Sequence, residues 1–134
     1  MAKIIDVEGI GSKYASKLEK AGVGSTESLL KMGGTPAGRK EIAAKSGISD
    51  SLILEWVNHV DLYRIKGVGS EYSDLLEEAG VDTVVELAQR SPANLMAKMT
   101  EVNASKKLVR KLPTKEQVAD WVAQAKKLPR AIKY

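Results

Sequence analysis

Two short runs hold the residue types best placed to do chemistry: Gly9-Ile10-Gly11-Ser12-Lys13 and Gly67-Val68-Gly69-Ser70-Glu71. A glycine-apolar-glycine triplet lets the chain reverse through conformations closed to other residues, and it leaves main-chain amides unshielded by side chains. If Ile10 or Val68 anchors the turn and a helix starts at its end, the first amides face outward with the positive end of the helix dipole behind them. Such a turn can hold a phosphate oxygen. The expected chemistry is therefore anion binding through the main chain, which seats a protein on a phosphodiester backbone without reading bases. The neighbours rank the two turns. Lys13, Lys17 and Lys20 follow the first at helical spacing, where their ammonium groups can reach the same backbone. Glu71, Asp74, Glu77 and Glu78 follow the second and would repel it, which makes that turn a packing element or a protein contact.

Few other chemistries are open to this chain. It has no Cys, which excludes disulfides, thiol catalysis and cysteine zinc sites, and its one His, His59, cannot supply the imidazoles of a remaining zinc site. No second His or Ser partner stands at helical spacing from His59, so it is expected to be a surface or interface residue rather than a general base. No metal and no cofactor are expected. No leader-like apolar segment opens the chain, and no run approaches the roughly 20 apolar residues that span a bilayer, so a cytoplasmic location and no membrane partner are expected.

The net charge of +4 over 134 residues is unevenly spread. Residues 1–63 carry eight basic and eight acidic side chains, residues 64–105 carry four and seven, and residues 106–134 carry nine and two. The excess of cations thus lies in the last segment, where it suits nucleic acid or an acidic protein surface.

The elements that must position these residues come from an internal repeat. VEGIGSKYASKLEKAGV, from Val7 to Val23, matches IKGVGSEYSDLLEEAGV, from Ile65 to Val81, and later Trp56 and Trp121 occupy matching apolar stripes. In each copy Ser12 or Ser70 can cap a helix that Gly22 or Gly80 ends. Ser25 or Thr83 starts a short second helix, Thr83 to Glu86 having the form of a capping box, Thr35-Pro36 and Ser91-Pro92 start a further helix, and Thr114 to Gln117 caps the last. Tyr14 and Tyr72 are expected to pack between turn and helix, and the two Trp to anchor the cores. The periodicity is helical throughout, and the fold class expected is all-α, two tandem units packed into one compact helical body, residues 1–63 and 64–134. Aligning Ser49 with Asn103 and Trp56 with Trp121 leaves an insertion, 104–114, in the second copy. It holds Lys106, Lys107, Arg110 and Lys111, which form one amphipathic basic stretch if the segment is helical.

Read together, VEGIGSKYASKLEKAGVGSTESLL and IKGVGSEYSDLLEEAGVDTVVELA resemble the helix-hairpin-helix superfamily. With TPAGRKEIAAKSGIS and SPANLMAKMTEVNASKKLVRKLP, nearly the whole chain resembles a bacterial domain-of-unknown-function family of tandem helix-hairpin-helix repeats. That resemblance implies sequence-independent contact with DNA backbone through Gly9, Ile10, Gly11, Ser12 and Lys13, and less directly through Gly67, Val68, Gly69 and Ser70. Glu8 stands where the superfamily often has Pro. Asp82 follows the second turn at a shorter spacing than the catalytic Asp of the superfamily's glycosylases, and Asp82 or Thr83 is read as a helix-capping residue. The expectation is a non-enzymatic DNA-binding or DNA-processing accessory module, using the first turn with Lys13 and Lys17 and the cations Lys106, Lys107, Arg110 and Lys111. The alternative is a protein-interaction scaffold whose turns pack on a partner or a second copy. Oligomeric state is left open.

Overall fold

Helix punctuation by Ser, Thr, Pro and Gly builds nearly everything in this chain. The computed structural model describes residues 3–7 and 9–134, so Met1, Ala2 and the departure at Glu8 lie outside the described residues. These form a 3-10 turn, Ile4–Asp6, and eight α-helices with no strand: α1 Gly11–Lys20, α2 Thr26–Gly33, α3 Pro36–Ser46, α4 Asp50–Leu62, α5 Ser70–Glu78, α6 Val84–Ala88, α7 Pro92–Lys106 and α8 Lys115–Lys127. The fold is all-α.

Ser25, Thr35, Thr83, Ser91 and Thr114 each accept a hydrogen bond from the third amide of their helix. At Thr114 the box is reciprocal, with Gln117 Oε1 accepting from Thr114 N at 2.8 Å. At Thr83 the reach-back misses by one residue, because Glu86 Oε2 accepts from Asp82 N instead. Gly22 and Gly80, both with positive φ, end α1 and α5 as their spacing requires. The amides of Val23 and Val81 turn back to Leu18 O and Leu76 O, each at 2.8 Å.

The chain divides into two units, Met1–Asp61 with Ala131–Tyr134, and Leu62–Arg130. In the first unit α3 packs on α1 and α2, and the 3-10 turn lies on α1. Leu18, Val23, Leu29, Ile42, Ile53 and Trp56 are buried there. The final segment, which the repeat alone would assign to the second copy, groups with the first unit. Lys133 N donates to Gly34 O at 2.7 Å, the buried Arg39 donates through Nη2 to Lys133 O at 2.9 Å, and Ile132 is buried. Those main-chain bonds outweigh chain order.

In the second unit α8 packs on α6 and α7, and α7 on α5. Their apolar faces form one core around Leu76, Leu87, Leu95, Met99, Val118 and Trp121. The insertion is distributed differently from the helical stretch expected. α7 runs 15 residues against 11 for α3, which takes the helix to Lys106, and residues 107–114 form a non-helical loop before α8. Lys107 adopts a left-handed conformation, φ 52°, as the helix ends. Beyond it Asn103 draws the chain away by pairing with both main-chain groups of Val109. Lys106 stays helical, whereas Lys107, Arg110 and Lys111 do not.

Candidate functional site

The two glycine turns share a construction. Ile10 N donates to Val7 O at 3.0 Å and Val68 N to Ile65 O at 3.1 Å, and both Ile10 and Val68 are buried anchors. Gly9 and Gly67 have φ of +89° and +97°. A tryptophan indole underlies each, so that a β-carbon at Gly9 would stand 3.3 Å from Trp56 Nε1 and one at Gly67 3.0 Å from Trp121 Nε1. Tyr14 tilts against Trp56 and Tyr72 against Trp121, with ring centroids 5.1 and 5.2 Å apart. Both tryptophans are core anchors, as their repeat positions suggest.

The helices that leave these turns differ from the rest in one respect. The six other α-helices begin under a Ser or Thr side chain, α4 under Ser49, whose hydroxyl accepts from Leu52 N, but Ile10 and Gly69, at the N-cap positions of α1 and α5, give no side-chain cap. Ser12 and Ser70, expected to cap, are instead already within their helices. No Ser or Thr oxygen at the cap therefore occupies the first amides of α1 and α5, which are the groups an oxyanion would take.

Around the first turn Gly9, Gly11, Ser12 and Lys13 are exposed. Lys17 is half-buried with its ammonium 5.9 Å from the centre of the Tyr14 ring, at the outer limit of a cation–π contact. Lys20 is exposed at the far end of α1. The first turn thus has one exposed cation close in sequence, and a second committed in part to an aromatic face.

The second turn has what its own sequence neighbours do not offer. Gly67, Gly69 and Ser70 line a concave pocket of about 490 Å³ together with Arg110 and Lys111 from the loop 107–114. Glu71 and Tyr72, in the first turn of α5, also line it. The Tyr72 hydroxyl donates to Lys111 O at 3.0 Å, which ties the cation-bearing loop to α5. Behind the glycines, Gln124 on α8 accepts from Lys66 N through Oε1 at 2.9 Å and donates through Nε2 to Lys66 O at 3.2 Å. Lys66 itself is exposed immediately before Gly67.

The four insertion cations therefore separate. Arg110 and Lys111 meet the second turn; Lys106 is engaged with Glu78, Nζ to Oε2 at 2.6 Å, and so offsets one carboxylate of α5. Lys107 is exposed at the helix end. The first-turn residues Gly9 to Lys13 and Lys17 lie in the first unit, and all four of these cations in the second. His59, expected at a surface or interface, is buried, because it lies on the same helix face as Trp56 and Val60. Of Asp82 and Thr83 it is Thr83 that caps α6, while Asp82 takes part through its main-chain amide, which donates to Glu86 Oε2.

Sequence reasoning missed Asn103, Tyr72 and Gln124 as residues that shape this pocket, and Lys66 as a cation beside the turn. Lys66 was legible as a basic residue directly before Gly67. Tyr72 and Gln124 act on main chain far away in sequence, and Asn103 on main chain six residues on, past a helix end that periodicity does not mark. No helix among the described residues is long and apolar enough to cross a membrane.

A family model described as "Domain of unknown function (DUF4332)" matches residues 8–128 of the chain. Comparison with curated proteins and with solved structures gives no match.

Proposed function

The chain belongs to the DUF4332 family, and from that premise we propose that it is a non-enzymatic module that holds the phosphodiester backbone of DNA without reading its sequence. In this reading its two units are tandem helix-hairpin-helix repeats, each using its glycine turn as an anion seat. One observation carries it: the uncapped start of α5 and the exposed glycines of the second turn open into the same pocket as Arg110 and Lys111. Main-chain donors and two cations converging on one concavity suit an oxyanion that is shared along a chain of phosphates. The first turn, with Lys13 and Lys17, is a second and independent point of contact.

The scaffold reading has a specific observation in its favour, since Glu71 lines the same pocket and Asp74 and Glu77 are half-exposed further along α5. A basic partner segment would meet those carboxylates, whereas DNA would avoid them.

Fluorescence anisotropy with a random-sequence duplex tests the proposal. Binding is expected to be micromolar or weaker near physiological salt and stronger at about 50 mM, with a log–log salt slope set by a few phosphate contacts at about 0.9 each. No binding at the lower salt, or affinity indifferent to salt, would rule it out. Capture of a protein partner that survives nuclease treatment, from cells where DNA binding is absent, would favour the scaffold.

A further inference from the structure

The cations of the second-turn pocket stand on a loop that is pinned from outside the pocket. Asn103, half-buried near the end of α7, presents both faces of its amide to a single residue: Nδ2 donates to Val109 O at 3.2 Å, and Oδ1 accepts from Val109 N at 3.0 Å. Val109 is buried and directly precedes Arg110. On the other side of the two cationic side chains, Tyr72 holds Lys111 O. The main chain carrying Arg110 and Lys111 is therefore fixed at both ends, while Gln124 holds both main-chain groups of Lys66, the residue before the pocket-lining Gly67.

We infer that Asn103 is a positioning residue of this pocket, holding Arg110 and Lys111 opposite the second glycine turn without touching the ligand; this rests on the anion-binding reading above. The physical ground is entropy. A free loop with two long cations loses backbone and rotamer freedom when it closes on a phosphate, and that loss is subtracted from affinity. A bidentate amide bond to the residue before the cations removes the backbone part of that loss before the ligand arrives. The two hydrogen bonds also satisfy both main-chain groups of a buried residue that has left the helix, so the loop has one favoured path. In the first unit the nearest counterpart is Ser46 at the end of α3, whose hydroxyl accepts from the amide of the buried Ile48 at 3.2 Å and so holds one main-chain group rather than two, with Ser49 and Asp50 following instead of cations. Ser49, which the repeat places opposite Asn103, uses its hydroxyl on Ser51 and on Leu52 N at the start of α4. Among the described residues, the second copy combines added cations with a two-point hold on the residue before them.

The test is a cycle of full-length variants in duplex-DNA binding. Asn103→Ala changes no charge, yet it should weaken binding about fivefold in the otherwise unaltered chain and less than about twofold when Arg110 and Lys111 are already alanine. Tyr72→Phe, which removes a single hydroxyl, should follow the same pattern with a smaller loss. Equal losses from Asn103→Ala in both backgrounds would mean that Asn103 acts through general stability, and the inference would fall. If alanine at 110 and 111 weakens binding while Asn103→Ala does not, the inference also falls and the anion-binding reading stands. If alanine at 110 and 111 changes nothing, the pocket is not the seat, and the inference falls together with the second turn's part in the anion-binding reading. Hydrogen exchange gives a readout without ligand: the Val109 amide should be protected in the unaltered protein and lose protection in Asn103→Ala, and an unprotected Val109 amide at the outset would overturn the inference.

Discussion

The first and second glycine turns are nearly the same object placed in two electrostatic settings. Each has a left-handed first glycine over a tryptophan indole, a buried aliphatic anchor and an uncapped helix beyond it. The first draws its cations from the helix that follows, at Lys13 and Lys17, one of which leans on Tyr14. The second is followed by an acidic helix and draws Arg110 and Lys111 from a loop some forty residues on. The comparison teaches that sequence neighbours predict the turn and its backbone well but do not predict its field. Charge reaches a site through tertiary contact, and here an insertion between α7 and α8 supplies it.

The shared construction is broken most severely by filling the space above the indole. Gly67→Ala would place a methyl 3.0 Å from a buried ring atom at a φ of +97°, where neither the ring nor the backbone can yield cheaply. We expect a loss of about 3 kcal/mol in the stability of the second unit, from strain and the close contact together. Gly9→Ala meets Trp56 Nε1 at 3.3 Å with φ +89° and should cost the first unit somewhat less, about 2 kcal/mol. Calorimetric or circular-dichroism melting checks both, and equal stability in either variant would mean the indole does not set the glycine requirement.

How much of this was legible beforehand follows from the same physics. Helix starts were readable because Ser25, Thr35, Thr83, Ser91 and Thr114 act within three residues of themselves. The ends at Gly22 and Gly80 were readable because the left-handed region favours glycine, though Lys107 shows that it does not demand it. The tryptophans read as core because they recur in register. Ser12 and Ser70 misled, since a Ser after a glycine turn looks like a cap until the helix is seen to begin at or before it. The insertion misled more. Lys106 to Lys111 has a plausible helical pattern, but Lys107 leaves the helix and Asn103 redirects the loop, a side-chain to main-chain event that periodicity cannot register. His59 looked polar enough for a surface, yet its helix face is the core face. The closing segment 131–134 was assigned by order to the second copy, while Arg39 and Gly34 bind its main chain in the first.

The electrostatic half of the comparison is sharpened by reversing charge at one turn at a time. Arg110→Glu with Lys111→Glu puts two carboxylates beside Glu71 in a pocket that otherwise offers two cations. Duplex-DNA affinity should fall about a hundredfold, and the salt slope should become shallower by about 2. Lys13→Glu with Lys17→Glu should cost only about tenfold, because Lys17 is partly occupied by the Tyr14 ring. Anisotropy titrations at several salt concentrations measure both. The reverse order, with the first turn dominant, would restore the ranking that sequence neighbours suggest and would make the second pocket a bystander or a protein contact.

The finest difference lies at the second glycine of each triplet. Gly11 has φ +63°, in the left-handed region, while Gly69 has φ −109° and ψ −160°, extended backbone open to any residue. Neither position has an atom within 4 Å of where a β-carbon would stand, so space is not the issue and conformation alone separates them. Gly11→Ala should therefore cost about 1 kcal/mol, the ordinary penalty for an L-residue held left-handed. Gly69→Ala should be neutral within about 0.5 kcal/mol, because the methyl meets nothing and a freer unfolded chain is restrained. Two melting curves decide it. A substantial loss at Gly69 would mean that the second turn samples the left-handed geometry of the first, and the two triplets would then be equivalent in backbone as well as in outline. A neutral Gly69→Ala would also give a probe of the proposed anion seat, since it adds a methyl in the pocket shared with Arg110 and Lys111 without disturbing the fold.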